Sequence, residues 1–116
     1  MKITNGELFT AKEPLLKLIK ERMPVKTSLS LRILIQKLNE YLVPAEQTRD
    51  DLIRKYGKEQ NGQFIIEPSD TNFIQYMKEY AELIAIENEL GVVAIKLPED
   101  ITVEAWVILA LEKFVK

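Results

Sequence analysis

Leu31-Arg32-Ile33-Leu34-Ile35-Gln36-Lys37-Leu38-Asn39-Glu40-Tyr41-Leu42-Val43-Pro44-Ala45, continued by Glu46 to Tyr56, is the stretch that decides the fold. Leu31, Ile35, Leu38, Leu42, Ala45, Arg49, Leu52 and Tyr56 follow one another at spacings of four, three, four and three. A seam that averages 3.5 residues per turn over nearly four heptads predicts one long helix packed lengthwise on another. Thr27 or Ser28 offers the cap at its start, and Gly57 offers a left-handed stop at its end. Between those limits lie about 29 residues, roughly 43 Å of helix. Pro44 cannot donate to the carbonyl of Glu40. Because the seam keeps phase from Leu42 to Ala45, a kinked but continuous helix is expected rather than two independent ones.

Upstream, Lys2 to Thr4 reads as a short edge strand. Asn5 is the expected N-cap of a first helix bearing Leu8, Ala11, Leu15, Leu18 and Arg22 and ending near Met23-Pro24. Pro14 predicts either a kink in that helix or a start near Glu13. Downstream, Gly57 to Gly62 reads as a polar connection and Gln63 to Glu67 as a strand closed by Pro68. Ser69 or Asp70 caps a third helix running to about Asn88, whose positions Phe73, Met77, Tyr80 and Ile84 repeat the seam spacing. Ile74, Ala81 and Leu83 widen that stripe. It is the natural antiparallel partner of the long helix. Val92 to Leu97 is β-branched and nearly uncharged, a strand expected to pair with residues 63 to 67. Thr102 then caps a last helix that is apolar on every side from Ala105 to Leu111, and so is buried in the domain or against another chain. The expected fold is α+β and mainly helical. A long antiparallel helix pair carries additional N- and C-terminal helices and a small two- or three-stranded sheet, in a single domain over residues 1–116.

Composition narrows function more by exclusion than by assignment. With 47% hydrophobic and 29% charged residues, the 116-residue chain has the make-up of an ordered globular domain. Sixteen basic residues against 18 acidic leave a net charge of −2, with no basic run to attract a phosphate backbone. Nucleic acid is therefore not an expected partner. The chain has neither cysteine nor histidine, which removes thiolate chemistry and the usual neutral-pH base and metal ligand. Its longest apolar stretch falls far short of the roughly 20 residues that span a bilayer. The beginning lacks the apolar core of a secretory signal, so no membrane association and a cytoplasmic location are expected.

No motif marks a catalytic, cofactor-binding or metal site. Glu79, Glu82, Glu87 and Glu89 cluster on the third helix, where solvation of its polar side is the sufficient reading. Asp50-Asp51 with Arg54-Lys55 gives weak surface pairs. Arg49 interrupts the seam and is expected to meet a carboxylate on the facing helix, setting register. Asn5-Gly6 and Asn61-Gly62 lack the glycine spacing of a phosphate loop. Tyr41, Tyr56, Tyr76 and Tyr80 belong to the helical stripes and need no base-stacking role. Trp106, with Phe114 and Val115, is the candidate partner-binding group, since tryptophan is a frequent interface anchor; a place in the core is its alternative.

Several stretches, in their order, resemble a family of short uncharacterised proteins of tailed phages and prophages of Gram-positive bacteria. These are Met1-Lys2-Ile3-Thr4-Asn5-Gly6-Glu7-Leu8, Pro24-Val25-Lys26-Thr27-Ser28, Lys55-Tyr56-Gly57, Asn61-Gly62-Gln63, Tyr80 to Glu87, and Ile101-Thr102 leading into Leu109 to Phe114. They cover nearly the whole chain, but as hydrophobic and capping patterns rather than chemical motifs. The resemblance implies a non-enzymatic protein of the viral programme, acting through protein contacts in an accessory or assembly role in the host cytoplasm. The alternative is a host-directed inhibitor that blocks a bacterial enzyme or defence protein. Its expected partner is a protein, including itself as a homodimer or higher oligomer.

Overall fold

The computed structural model describes residues 1–91 and 94–115. Among them the elements run β1 (Lys2–Thr4), α1 (Asn5–Leu18), α2 (Val25–Tyr56), β2 (Lys58–Gln60), β3 (Gln63–Ile65), α3 (Phe73–Ala85), β4 (Glu87–Glu89) and α4 (Ala105–Ala110). The chain is mainly helical α+β, as its periodicities predict. Helix α2 passes through Pro44 unbroken for 32 residues. At 1.5 Å per residue it is about 48 Å long, so it alone sets the 51 Å length of the molecule.

Helix α2 starts earlier than the hydroxyl caps suggest. Pro24 stands at the N-cap without a side-chain cap bond, and its carbonyl accepts the first helical bond from the Ser28 N–H at 3.0 Å. The residue at the other end also acts differently from expectation. Gly57 is extended (φ −85°, ψ 172°) rather than left-handed. It must be glycine for space: a Cβ there would lie 2.5 Å from the Ile53 carbonyl oxygen and 3.0 Å from that of Ile65.

The seam of α2 is divided between two partners. Lys12 of α1 reaches Glu46 at 2.7 Å and Arg49 lies 5.1 Å over the Phe9 ring, so α1 runs antiparallel to α2. Lys55 meets Glu79 at 3.5 Å while the Tyr41 hydroxyl donates to the Glu89 carbonyl at 3.0 Å. The α3–β4 leg is therefore antiparallel too. Because α3 has only 13 residues against 32, it cannot cover α2 alone. Leu31, Leu34, Leu38, Leu42 and Ala45 of α2 are buried, whereas Leu52 and Tyr56 near its C-terminus are only half-buried. Leu34, off the predicted seam, joins the core as well.

Arg49 does not pair with a carboxylate of a facing helix. Its ion partners, Glu46 at 3.7 Å and Asp50 at 3.5 Å, are on its own helix, and the register tie across to α1 is Lys12–Glu46.

The N-terminal cap is Thr4, not Asn5. Thr4 Oγ1 accepts from the Glu7 N–H and Glu7 Oε1 accepts from the Thr4 N–H, both at 3.1 Å, a reciprocal capping box. Helix α1 continues through Pro14, so the start near Glu13 does not occur.

The strands depart further from expectation. Residues 63–65 pair with 58–60 in a tight hairpin, with Asn61 and Gly62 at φ 51° and 78° as a two-residue turn requires. Of the expected partner strand at 92–97, Val92 and Val93 lie outside the described residues, and Ile95 forms an isolated bridge to Val115 rather than a ladder with residues 63–65. Helix α3 ends at Ala85 instead of Asn88, because residues 87–89 pair antiparallel with β1, Ile3 opposite Asn88. Among the described residues these pairings make two separate two-stranded sheets.

The core gathers Ile3, Leu8, Leu15 and Leu18 with the buried leucines of α2, Leu90, Ile95, Val107, Leu111 and Phe114. It lies along the N-terminal part of α2. Only Leu83 of α3 is buried.

Candidate interaction surface

Helix α4, apolar on every side and so expected to be buried in the domain or against another chain, is enclosed on one side within this chain. Val107 and, just beyond the helix, Leu111 and Phe114 point into the core, while Leu109 is 69% exposed. The candidate group Trp106, Phe114 and Val115 does not form one surface: Phe114 is 2% exposed core, Val115 packs against that core, and Trp106 is 41% exposed. Trp106 donates from Nε1 to Glu104 Oε2 at 2.9 Å, and Lys17 Nζ sits 5.2 Å over its ring and 3.2 Å from Glu104. The indole N–H is thus held by Glu104, two residues before it, and its ring face lies under Lys17 of α1. Glu104, not Thr102, takes the N-cap position of α4.

A broader apolar surface lies on α3. Successive residues turn by about 100°, so Leu83, Tyr76, Tyr80, Phe73, Ile84, Met77, Ala81, Ile74 and Ala85 fill one continuous arc of roughly 200°. Only one edge of that arc faces the core: Leu83 is buried and Tyr76, Tyr80, Phe73 and Ile84 are half-buried. At the other edge Met77, Ala81 and Ala85 are exposed, and Ile74 is 81% exposed. The stripe Ile74, Met77, Ala81, Ala85 therefore points into solvent with the spacing of a helix-packing seam. Beside it a groove of about 860 Å³ runs between α1, α3 and α4, lined by Phe9, Tyr80, Ala81, Ile84 and Leu109.

A polar clamp fixes how α3 is rotated. Asn5 is 5% exposed and donates from Nδ2 to the Leu83 carbonyl at 2.9 Å, while its Oδ1 accepts from Asn88 Nδ2 at 2.8 Å. The Asn5 N–H donates to the Ile86 carbonyl at 3.0 Å. A helix end carries carbonyls without intrahelical partners, and here the first residue of α1 supplies their donors. At the same end Gly6 lets α1 approach closely, since a Cβ would sit 3.3 Å from the Ile84 carbonyl oxygen. The tyrosine edge of α3 meets α2. Tyr76 and Tyr80 stack at 6.0 Å, and burial first, then Tyr80, raises the Tyr76 phenol above its ordinary value.

Several of the surrounding charges are met locally, although Glu79 Oε2 is buried without a hydrogen bond of its own. The Tyr56 hydroxyl, and then the Lys55 ammonium, hold the Glu79 carboxyl below the usual carboxylate range. Lys113 and the Thr4 backbone do the same for Glu7, and Trp106 with Lys17 for Glu104. Lys55 is raised by Tyr56 and Glu79. The four glutamates expected on the third helix are dispersed. Glu79 pairs with Lys55, Glu82 is exposed, and Glu87 and Glu89 belong to β4, where Glu89 pairs with the Met1 ammonium at 3.2 Å. Among the described residues no group of three acidic side chains could hold a metal ion, and no helix is long and apolar enough to cross a membrane.

No protein-family model matches this chain, and comparison with curated proteins and with solved structures finds none similar to it.

Proposed function

We propose that the protein acts without catalysis, through protein–protein contacts made by the outward stripe of α3 and the groove beside it. The observation that carries this reading is the mismatch on α3: its apolar arc is far wider than the edge the core uses, which leaves Ile74, Met77, Ala81 and Ala85 in water. A contiguous exposed apolar surface next to a concave groove fits an interaction site. The phage-family resemblance supports an accessory or assembly role in the cytoplasm of a Gram-positive host. The scattered carboxylates give a host-directed inhibitor mimicking an acidic ligand less support, because such a mimic needs a dense acidic stripe.

A photo-crosslinking residue at Met77, compared with one at the exposed Lys37 of α2, tests the reading in cells undergoing prophage induction. The account expects discrete adducts from position 77 that vanish when Ala81→Glu is added, and none from position 37. Equal adducts from both positions, or none from 77, would sink it. Capsid, tail or lysis proteins in the adducts would assign assembly, and one host protein would assign inhibition.

A further inference from the structure

We propose that a second copy of this chain docks on the α3 stripe, α3 against α3, antiparallel about a two-fold axis. The inference rests on α3 being the contact surface and commits that surface to a partner. The stripe from Ile74 to Ala85 has its midpoint between residues 79 and 80. Lys78 and Glu82, both exposed, border the same side of the stripe one turn apart, and their midpoint is residue 80. A two-fold axis through this point exchanges the two positions, so Lys78 of each copy comes opposite Glu82 of the other.

Among the described residues neither Lys78 nor Glu82 has an ion-pair partner, whereas Glu79, on the α2 side, is held by Lys55. The stripe is therefore complementary to its own antiparallel copy in charge as well as in apolarity. A parallel copy would set the Lys78–Glu82 border of each helix on opposite sides of the contact, where neither charge meets its opposite. Ala81, near the centre, has no bulk to hold the helices apart, and Met77 and Ile74 fill the space on either side. A helix of 13 residues offers a small contact even with Leu109 at the groove edge. Interfaces of roughly 800 Å² per partner draw on about 20–30 residues a side, more than one 13-residue helix supplies. The dimer is therefore concentration-dependent, dissociating in the micromolar range.

Sedimentation velocity of the full chain from about 1 µM to about 500 µM reads the equilibrium directly. A monomer–dimer transition is expected in that range. Lys78→Glu alone and Glu82→Lys alone each weaken it about tenfold, since each sets two pairs of like charges face to face. An equimolar mixture of the two single variants, and the double variant Lys78→Glu/Glu82→Lys, recover wild-type association within about twofold, because opposite charges face each other again. Both positions are exposed, so circular dichroism serves as the check that each variant keeps its fold. A wild-type chain that stays monomeric throughout, or a dimer indifferent to these charges, overturns the second-copy docking. Adducts from position 77 to another protein in that case leave the contact reading standing, and their absence removes both.

Discussion

Replacing Asn5 by alanine should cost the protein more than any other single polar change, for reasons countable in the structure. The side chain is almost fully enclosed and makes two hydrogen bonds across more than 75 positions of sequence, to the Leu83 carbonyl and from Asn88. Apart from Asn5, the Leu83 carbonyl receives only a long bond from the Ile86 N–H at 3.4 Å. The Asn88 amide keeps its 3.3 Å bond to the Ile3 carbonyl. The bond from Asn88 is worth about 1 kcal/mol net, and the Leu83 carbonyl, left largely without its donor, costs about 1–3 kcal/mol. The expected loss is therefore about 2–4 kcal/mol, a large part of the roughly 5–15 kcal/mol that holds a small domain folded. At about 4 °C per kcal/mol for a chain of this size, the melting temperature should fall by roughly 8–16 °C.

Urea unfolding followed by circular dichroism and by the fluorescence of the single tryptophan gives the free energy. The slope with urea should be unchanged. Asn5→Asp sharpens the test, since it keeps the acceptor for Asn88 but presents a carboxylate where Leu83 needs a donor. Burial beside a carbonyl raises the folded-state pKa of that aspartate above its unfolded value. Its deficit relative to wild type should thus be full at neutral pH and shrink as pH falls through the raised pKa, when the protonated acid can donate. A loss below about 1 kcal/mol for Asn5→Ala, or a deficit for Asn5→Asp that ignores pH, would refute the reasoning.

Glu7, Glu79 and Glu104 all have folded-state pKa values below the ordinary 4.5, so their stabilising contribution is present above that value and is lost as pH falls through the lowered values. The urea midpoint should be level near neutrality and drop below about pH 4.5, and Glu7→Gln should flatten the drop. Gly57→Ala should destabilise by about 1–3 kcal/mol through overlap with the Ile53 and Ile65 carbonyls. Gly57→Asn should cost at least as much, whereas a left-handed glycine would have tolerated asparagine; thermal melts of the two decide. Ala81→Glu, on the exposed stripe, should leave the unfolding free energy within about 0.5 kcal/mol of wild type while abolishing self-association in sedimentation.

The long helix was legible because the phase of a seam carries across a proline: Leu42 and Ala45 remain in step, and α2 is continuous. Asn61-Gly62 lies in the stretch read as a polar connection and makes its turn, but the strand before it, Lys58-Glu59-Gln60, carries no apolar alternation and exists by virtue of its hairpin partner. The same holds for Glu87-Asn88-Glu89. These residues look like a helix end, and they become a strand because β1 offers a ladder and Asn5 closes α3 at Leu83 and Ile86. Capping shifted from Asn5 to Thr4 because Glu7, three residues after Thr4, completes the reciprocal box, a spacing present in the sequence.

The interaction surface was harder to read. Periodicity marks the apolar arc of α3 but not which edge of it the core will occupy, and that edge is set by the Asn5 clamp and the close approach of α1 at Gly6. In α4, apolarity on every side left Val107, Trp106 and Leu109 indistinguishable until α1 took one side. Trp106 drew attention as the chain's sole tryptophan, yet Lys17 and Glu104 hold it.

The most direct measurement of the central claim, that α3 turns its apolar stripe outward, uses the absence of cysteine in the chain. Single variants Ile74→Cys and Leu83→Cys, labelled with a small maleimide under native conditions, compare the two edges of the arc. The account predicts labelling at position 74 near the rate of an unfolded peptide in dilute solution, slower at high concentration as copies pair, and labelling at position 83 slower by at least about a hundredfold, as for a site opened only by unfolding. Protection of position 74 in the dilute monomer, or equal rates at the two positions, would contradict it.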